Sequence, residues 1–289
     1  MKRIPAYSIG WIAKEYITKH RIFRIHSVFS RGAYVELNGD IVFDIAVSRI
    51  RSESSISLDM DYFLLHIKDL SKFISIGDRL VIDKNLILVD NSIAIDLAKA
   101  SIYSPEIKTY REICYKIKSL EDIDKTLERF LNISIFIGKI YRDELEILSD
   151  ILKHIHSIAI GRDHVEELVR LLEKCIGFGR GLTPSCDDLA AGFITTYNIL
   201  GKICGGKPVE ISESSLKKTT VISAYILRKA SKGVIYEPLE KLLRDPNDPK
   251  MIGALIDLLE IGHSSGAMFG MGALIGMKLY SSRSTFGNR

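Results

Sequence analysis

Between about residues 21 and 90 the apolar positions recur at every second residue, in short runs separated by turn-forming residues. That is the period of a strand with one buried face. Ala33, Val35 and Leu37 on one side and Ile41, Phe43 and Ile45 on the other flank Asn38-Gly39, a dipeptide that favours the type I′ turn of a tight hairpin. Ile56, Leu58, Met60 and Tyr62 alternate with Ser57, Asp59 and Asp61 and read as a further half-buried strand. A second hairpin is predicted over residues 80–88, turning through Asp83-Lys84-Asn85. Short helices are predicted over residues 9–18 and 63–73.

From Asn91 onward the period becomes helical. The spacing predicts short amphipathic helices over residues 93–100, 106–120 and 122–131, then a longer pattern over 143–175 that breaks near Gly161. Further helices are expected over 189–200, 215–231, 238–244, 249–260 and 267–279, with Pro246 and Pro249 marking a loop and a polar tail from Ser281. The chain therefore reads as α+β, with a β-rich N-terminal domain over residues 1–90. A larger, mainly helical domain follows over residues 91–289.

Composition narrows the class. Hydrophobic residues make up 46% and charged residues 26% of the 289, the balance of a globular protein large enough for two domains. A net charge of +4 is too mild to argue for nucleic acid or a membrane surface, so neither partner is expected. The N-terminus is not followed by the apolar core of a signal peptide, and the longest apolar stretch, residues 267–277, is too short to span a bilayer. A cytoplasmic location is expected. Cys114, Cys175, Cys186 and Cys204 show no CxxC spacing, and in a reducing cytosol they read as buried thiols rather than a zinc site. His154 and His156 lie two apart on a predicted helix, point in different directions and do not form a metal pair. Glutamine is absent while Lys, Arg and Glu are plentiful, which points to a thermophilic source.

The candidate chemistry concentrates in one stretch, Gly177-Phe178-Gly179-Arg180-Gly181-Leu182-Thr183-Pro184-Ser185-Cys186-Asp187-Asp188, directly before an apolar helix. Glycines let a backbone turn tightly and approach a ligand, and a helix N-terminus offers unpaired N–H groups to an anion. Thr183 followed by Pro184 suits an N-cap with proline in the first helical position, and Ser185 to Asp188 also fits a capping pattern. The plain alternative is that these residues only cap the helix. Yet adjacent helical residues point about 100° apart, so Asp187 and Asp188 do not serve one cap together. A second polar cluster, Gly262-His263-Ser264-Ser265-Gly266, opens another glycine-bearing apolar helix. A third, His26-Ser27-Val28-Phe29-Ser30-Arg31-Gly32, ends a predicted strand, where Arg31 offers a two-pronged donor to a carboxylate. The glycine loop lacks the Lys-Ser/Thr ending of a phosphate loop and the Rossmann spacing. No G-x-S-x-G elbow supports a triad of Ser185, His263 and Asp187.

Residues 179–192, Gly-Arg-Gly-Leu-Thr-Pro-Ser-Cys-Asp-Asp-Leu-Ala-Ala-Gly, resemble the G-x-G-L-T-P-S-G-D-D-x-x-x-G signature of the AllH-like family. Residues 262–266 resemble its G-H-T-S-G motif, and residues 26–29 its N-terminal one. The resemblance spans about residues 20–280, with Cys186 in place of the usual glycine and Ser264 in place of threonine. It implies a role linked to oxamate carbamoyltransferase. There, an AllH-type subunit works with two others to turn oxalurate and phosphate into oxamate and carbamoyl phosphate.

The sequence-level expectation is thus a carbamoyltransferase-related enzyme or enzyme subunit acting on a small anionic substrate, working with partner subunits. Asp187, Asp188 and His263 are the candidate catalytic residues. Gly179, Gly181, Thr183, Ser185, Ser264, Ser265, His26 and Arg31 are the candidate substrate contacts. No cofactor is demanded, although Asp187 and Asp188 are hard ligands suited to Mg²⁺. The alternatives are a non-catalytic anion-binding subunit of a complex and an Mg²⁺-dependent hydrolase that uses the two aspartates.

Overall fold

A computed structural model describes residues 1–90, 92–107, 112–118, 123–158, 164–246 and 249–282. The predicted break near Gly161, part of the Pro246–Pro249 loop, most of the polar tail, and the side chains of His154 and His156 lie outside the described residues. The chain divides into two compact units, residues 1–105 and 106–289.

The first unit is a barrel. Its strands are β1 (Lys2–Gly10), β2 (Ile22–Phe29), β3 (Gly32–Leu37), β4 (Asp40–Val47), β5 (Ser55–Leu58), β6 (Arg79–Asp83), β7 (Leu86–Val89) and β8 (Ile93–Asp96). They lie in the order β5-β4-β3-β2-β6-β7-β8-β1, and β1 returns to pair with β5. Closure works because β1 uses both edges: residues 2–5 pair in parallel with β8, while residues 6–9 pair antiparallel with β5. A ninth strand, β9 (Ser101–Tyr103), continues beside the second half of β1. Ile4, Phe23, Val35, Phe43, Ile56, Leu80, Ile87 and Ile95 are among the side chains buried in its core. Closure through β1 removes the edges that β5 and β8 would otherwise present, and the three-residue β9 is left as a short end strand.

Both predicted hairpins form. Asn38 and Gly39 carry φ of 56° and 90°, as the turn between β3 and β4 requires, and β6 pairs with β7 across Lys84-Asn85. Three local expectations change. The strand expected to run through Tyr62 stops at Leu58, because Asp59 accepts a hydrogen bond from the Tyr62 N–H and caps α2 (Met60–His66). The helix expected over residues 63–73 is the end of α2 followed by a 3₁₀ turn, Leu70–Lys72. Residues 93–96, expected to be helical, are strand β8, paired on both sides with β7 and β1. Ile93-Ala94-Ile95 is too short to declare a period, and its two neighbours decide the matter. The predicted N-terminal helix is α1 (Trp11–Lys19).

The second unit is helical: α3 (Glu112–Lys118), α4 (Ile123–Phe136), α5 (Arg142–Ile158), α6 (His164–Cys175), α7 (Ser185–Cys204), α8 (Glu213–Leu216), α9 (Val221–Lys232), α10 (Glu237–Arg244), α11 (Pro249–Leu259) and α12 (Ser265–Ser281). The single helix expected over 215–231 is split, since Thr220 accepts from the Ser223 N–H and starts α9 afresh. At the centre lie α7 and α12, mainly apolar and buried along most of their length, as a helix surrounded by protein must be. They run side by side in the same direction: Thr183 meets Ser265, Leu189 meets Gly272, and the Tyr197 and Tyr280 rings lie 5.7 Å apart. The approach is backbone on backbone. A Cβ at Gly192 would fall 2.0 Å from the Phe269 carbonyl oxygen, and one at Gly272 2.0 Å from that of Leu189.

The four cysteines are not thiols. Cys114 of α3 is bonded to Cys204 at the end of α7, and Cys175 at the end of α6 to Cys186 in the first turn of α7. The first pair is 90 residues apart and the second is separated by a loop that doubles back, so neither spacing announces a partner. Among the described residues no helix is long and apolar enough to cross a membrane.

Candidate functional site

Parallel packing puts the N-termini of α7 and α12 at the same end of the pair, so two sets of unpaired N–H groups and two positive helix ends converge. Neighbouring parallel dipoles repel, which makes this end a favourable place for an anion. The loop entering α7 is shaped by Gly179, whose φ of 127° is closed to L side chains and whose missing Cβ would sit 2.3 Å from the Ser185 nitrogen. The Cys175–Cys186 disulfide ties the two ends of this loop together.

The capping expectation is corrected. Pro184, not Thr183, is the N-cap of α7, and no side chain caps it. Thr183 Oγ1 instead lies 3.0 Å from Ser265 Oγ, joining the two motifs across 82 residues of sequence. Ser185 does not form a capping box either: its hydroxyl donates to Glu144 of α5. Glu144 also accepts from the Tyr141 N–H at 2.6 Å, which fixes the start of α5.

The two aspartates part company. Asp187 accepts from the Gly177 N–H at 2.7 Å and from the Thr219 hydroxyl, so both its oxygens hold the glycine loop against the segment before α9. Asp188 is 5% exposed, and its Oδ2 has no hydrogen-bond partner. Burial pushes its carboxyl up to about 8, partly opposed by the hydroxyls of Ser265 and Thr183 and reinforced by the nearby Asp187 and Glu144 carboxyls. At neutral pH it holds its proton, which does not suit a hard cation. Among the described residues no group of three or more His, Cys, Asp or Glu side chains is arranged to hold a metal ion.

Around this junction sits an exposed rim. The His263 ring lies 5.2 Å from that of Tyr141, tilted by 36°, and the Arg180 guanidinium lies over the same tyrosine ring, 4.9 Å from its centre. The Lys139 ammonium donates to the Gly262 carbonyl at 3.0 Å. Ser264 is the N-cap of α12 without a side-chain cap bond. Gly179, Gly181, Thr183, Ser185, Asp187, Asp188, His263, Ser264 and Ser265 therefore belong to two helix starts and the loops before them, joined by the Thr183–Ser265 contact. His26 and Arg31 lie in the barrel unit, where His26 Nδ1 is 3.3 Å from Ser27 Oγ and Arg31 occupies the β2–β3 turn.

Sequence reasoning missed Glu144, Tyr141 and Thr219, which are ordinary residues in their own segments and matter through contacts with Ser185, with Arg180 and His263, and with Asp187, all more than 30 positions away. Arg180 stood within the motif and was passed over.

No solved structure matches this chain closely enough to count as a relative. Residues 175–277, which run from the last residue of α6 almost to the end of α12 and carry both motif loops, match the family model described as oxamate carbamoyltransferase subunit AllH, so this segment is similar to that family.

Proposed function

We propose that this chain is a subunit of a carbamoyl-transferring enzyme and binds its small anionic substrate where the starts of α7 and α12 converge. The observation that carries this is Asp188, a buried carboxyl flanked by hydroxyls from both motifs, with one oxygen left unsatisfied. A buried polar atom without a partner costs about 1–3 kcal/mol, a cost that a bound ligand removes.

For oxalurate and phosphate the chemistry is acyl transfer. A phosphate oxygen bonds to the ureido carbon, the carbon–nitrogen bond breaks, and the departing amide nitrogen takes the proton that phosphate gives up. Such a step needs donors for a carbonyl oxygen that gains charge and a group that passes a proton. The N–H groups at the two helix starts, with Ser264 and Ser265, supply the donors. His263, on the rim, is placed to move the proton. Asp187 holds the loop, and Arg180 offers a planar fork for a carboxylate or phosphate. Gly179 and Gly181 let backbone approach the ligand.

The family's description as a subunit supports partner chains, and it also supports a reading in which this chain binds the anion while the chemistry is completed elsewhere. Two disulfides fit the thermophilic source that the composition suggests, if the chain is placed in the cytoplasm as expected. The test is calorimetry of the purified chain with oxamate, oxalurate and phosphate, followed by assay for carbamoyl phosphate with and without the partner subunits. Binding by the chain alone with turnover only in the complex is the expected result. Failure of all three ligands to bind would remove this reading.

A further inference from the structure

Three carboxyl groups are buried around the first turn of α7: Glu144, Asp187 and Asp188. Among the described residues none is ion-paired with a lysine or arginine. Two of them are well supplied. Glu144 accepts from a backbone N–H and the Ser185 hydroxyl, and Asp187 from a backbone N–H and the Thr219 hydroxyl. Asp188 has no backbone donor; only the hydroxyls of Thr183 and Ser265 face it, and its Oδ2 meets nothing. Like charges this close do not all ionise, and the proton stays on the group with the fewest donors.

We infer that Asp188 takes part in the site as a carboxylic acid whose Oδ2–H donates a hydrogen bond to an oxygen of the bound ligand. The ligand end that enters is then an acceptor: a carboxylate, a phosphate or an amide carbonyl. An ammonium group or a hydrated cation is refused. This inference rests on the functional reading above for the location of the ligand. It also explains how a helix start that attracts anions tolerates two acidic residues, because one holds the loop and the other is neutral.

The charged groups around Asp188 bear on any pH readout. Asp187 comes from its own helix and Glu144 from α5, while α12 and the loop before α7 contribute only the Ser265 and Thr183 hydroxyls. His263, Arg180 and Tyr141 stand on the rim. An Asp188→Asn variant carries all of these unchanged, so any pH effect that persists in it belongs to them.

The experiment is oxamate binding to the full chain by calorimetry from about pH 6 to about pH 9, a range over which a simple carboxylate keeps its charge. Wild-type affinity is expected to fall above about pH 8, towards tenfold per pH unit, as the donor proton is lost. Asp188→Asn replaces the O–H donor by an N–H donor; it should bind within about threefold of wild type at pH 7 and lose that fall, whereas Asp188→Ala should lose at least about tenfold. A flat wild-type profile together with an Asn variant as weak as the Ala variant would overturn the inference. If wild type binds neither oxamate nor phosphate, the functional reading fails instead, and the proton is read directly. The infrared difference between wild type and Asp188→Asn at pH 7 should then show a protonated-carboxyl C=O band, whose absence overturns the inference by itself.

Discussion

Each compact unit buries acidic side chains, and one acid of the helical unit is treated unlike the satisfied Glu53 of the barrel. In the barrel unit Glu53 is fully buried, but the Trp11 indole N–H donates to it at 2.6 Å and the Ile12 N–H to its own carbonyl at 2.8 Å. In the helical unit Asp188 is nearly as deep, yet one oxygen is orphaned. A satisfied buried acid ties segments together; an orphaned one at converging helix starts ties nothing through that oxygen, which is why the proposed site is centred on it. Burial alone does not separate structure from function. The donor inventory around the group does.

The contrast can be tested first through covalent ties, which only the helical unit has. Closing a loop of about 90 residues through Cys114–Cys204 stabilises by about 4–5 kcal/mol in the chain-entropy estimate, and the short Cys175–Cys186 loop by about 3. Reductant should therefore lower the denaturation midpoint of the helical unit and leave the barrel, which contains no cysteine, unchanged. Equal loss in both units, followed by hydrogen exchange, would break the distinction.

A smaller effect is expected at Glu144. Replacement by Ala leaves the Tyr141 N–H and the Ser185 hydroxyl without their shared acceptor, which should cost about 3 kcal/mol in urea denaturation. Glu53→Ala, stranding the Trp11 indole, should cost about 2 kcal/mol by the same mechanism. If Asp188→Ala cost as much as either, Asp188 would be a structural tie like them.

The next prediction has the opposite sign. The folded carboxyl of Asp188 is raised from 3.8 to about 8, so between those values the folded state binds more protons than the unfolded one. Stability therefore falls as pH rises through that window. Asp188→Asn removes the dependence and should be more stable than wild type at pH 7, by something on the order of 2 kcal/mol. The difference between the two melting curves should shrink at pH 4. A variant less stable than wild type at pH 7 would mean that the carboxylate is the native form.

The smallest effect belongs to Thr183→Ala. Losing the hydroxyl contact to Ser265 should cost about 1 kcal/mol of stability while weakening anion binding, because the two loops are no longer held in register. Unchanged oxamate affinity would place the ligand away from this junction.

Much of this was legible in the chain. Asn38-Gly39 between two alternating runs announced a hairpin that forms as read, and the apolar stretches after Asp188 and Ser265 announced buried helices. The failures share a cause. Ile93-Ala94-Ile95 has no period of its own, and Thr183-Pro184 satisfies the statistics of a helix cap while the threonine turns towards a helix that begins 82 residues later. Cysteine spacing says nothing of which helix ends will be neighbours.

What the sequence determined by itself is the local chemistry: most of the strands and helices with a clear period, where backbone must pass close to backbone, and that small polar and acidic residues crowd two helix starts. Those follow from side-chain period and glycine stereochemistry, which act over a few residues. Only the tertiary structure decided that the barrel closes through β1, that α7 and α12 run parallel, and that Asp187 is tied while Asp188 is left with a proton and an open oxygen. Each of these depends on groups far apart in the chain and on the removal of water from between them, and burial of a carboxyl among other carboxyls sets its charge only once the fold has brought them together.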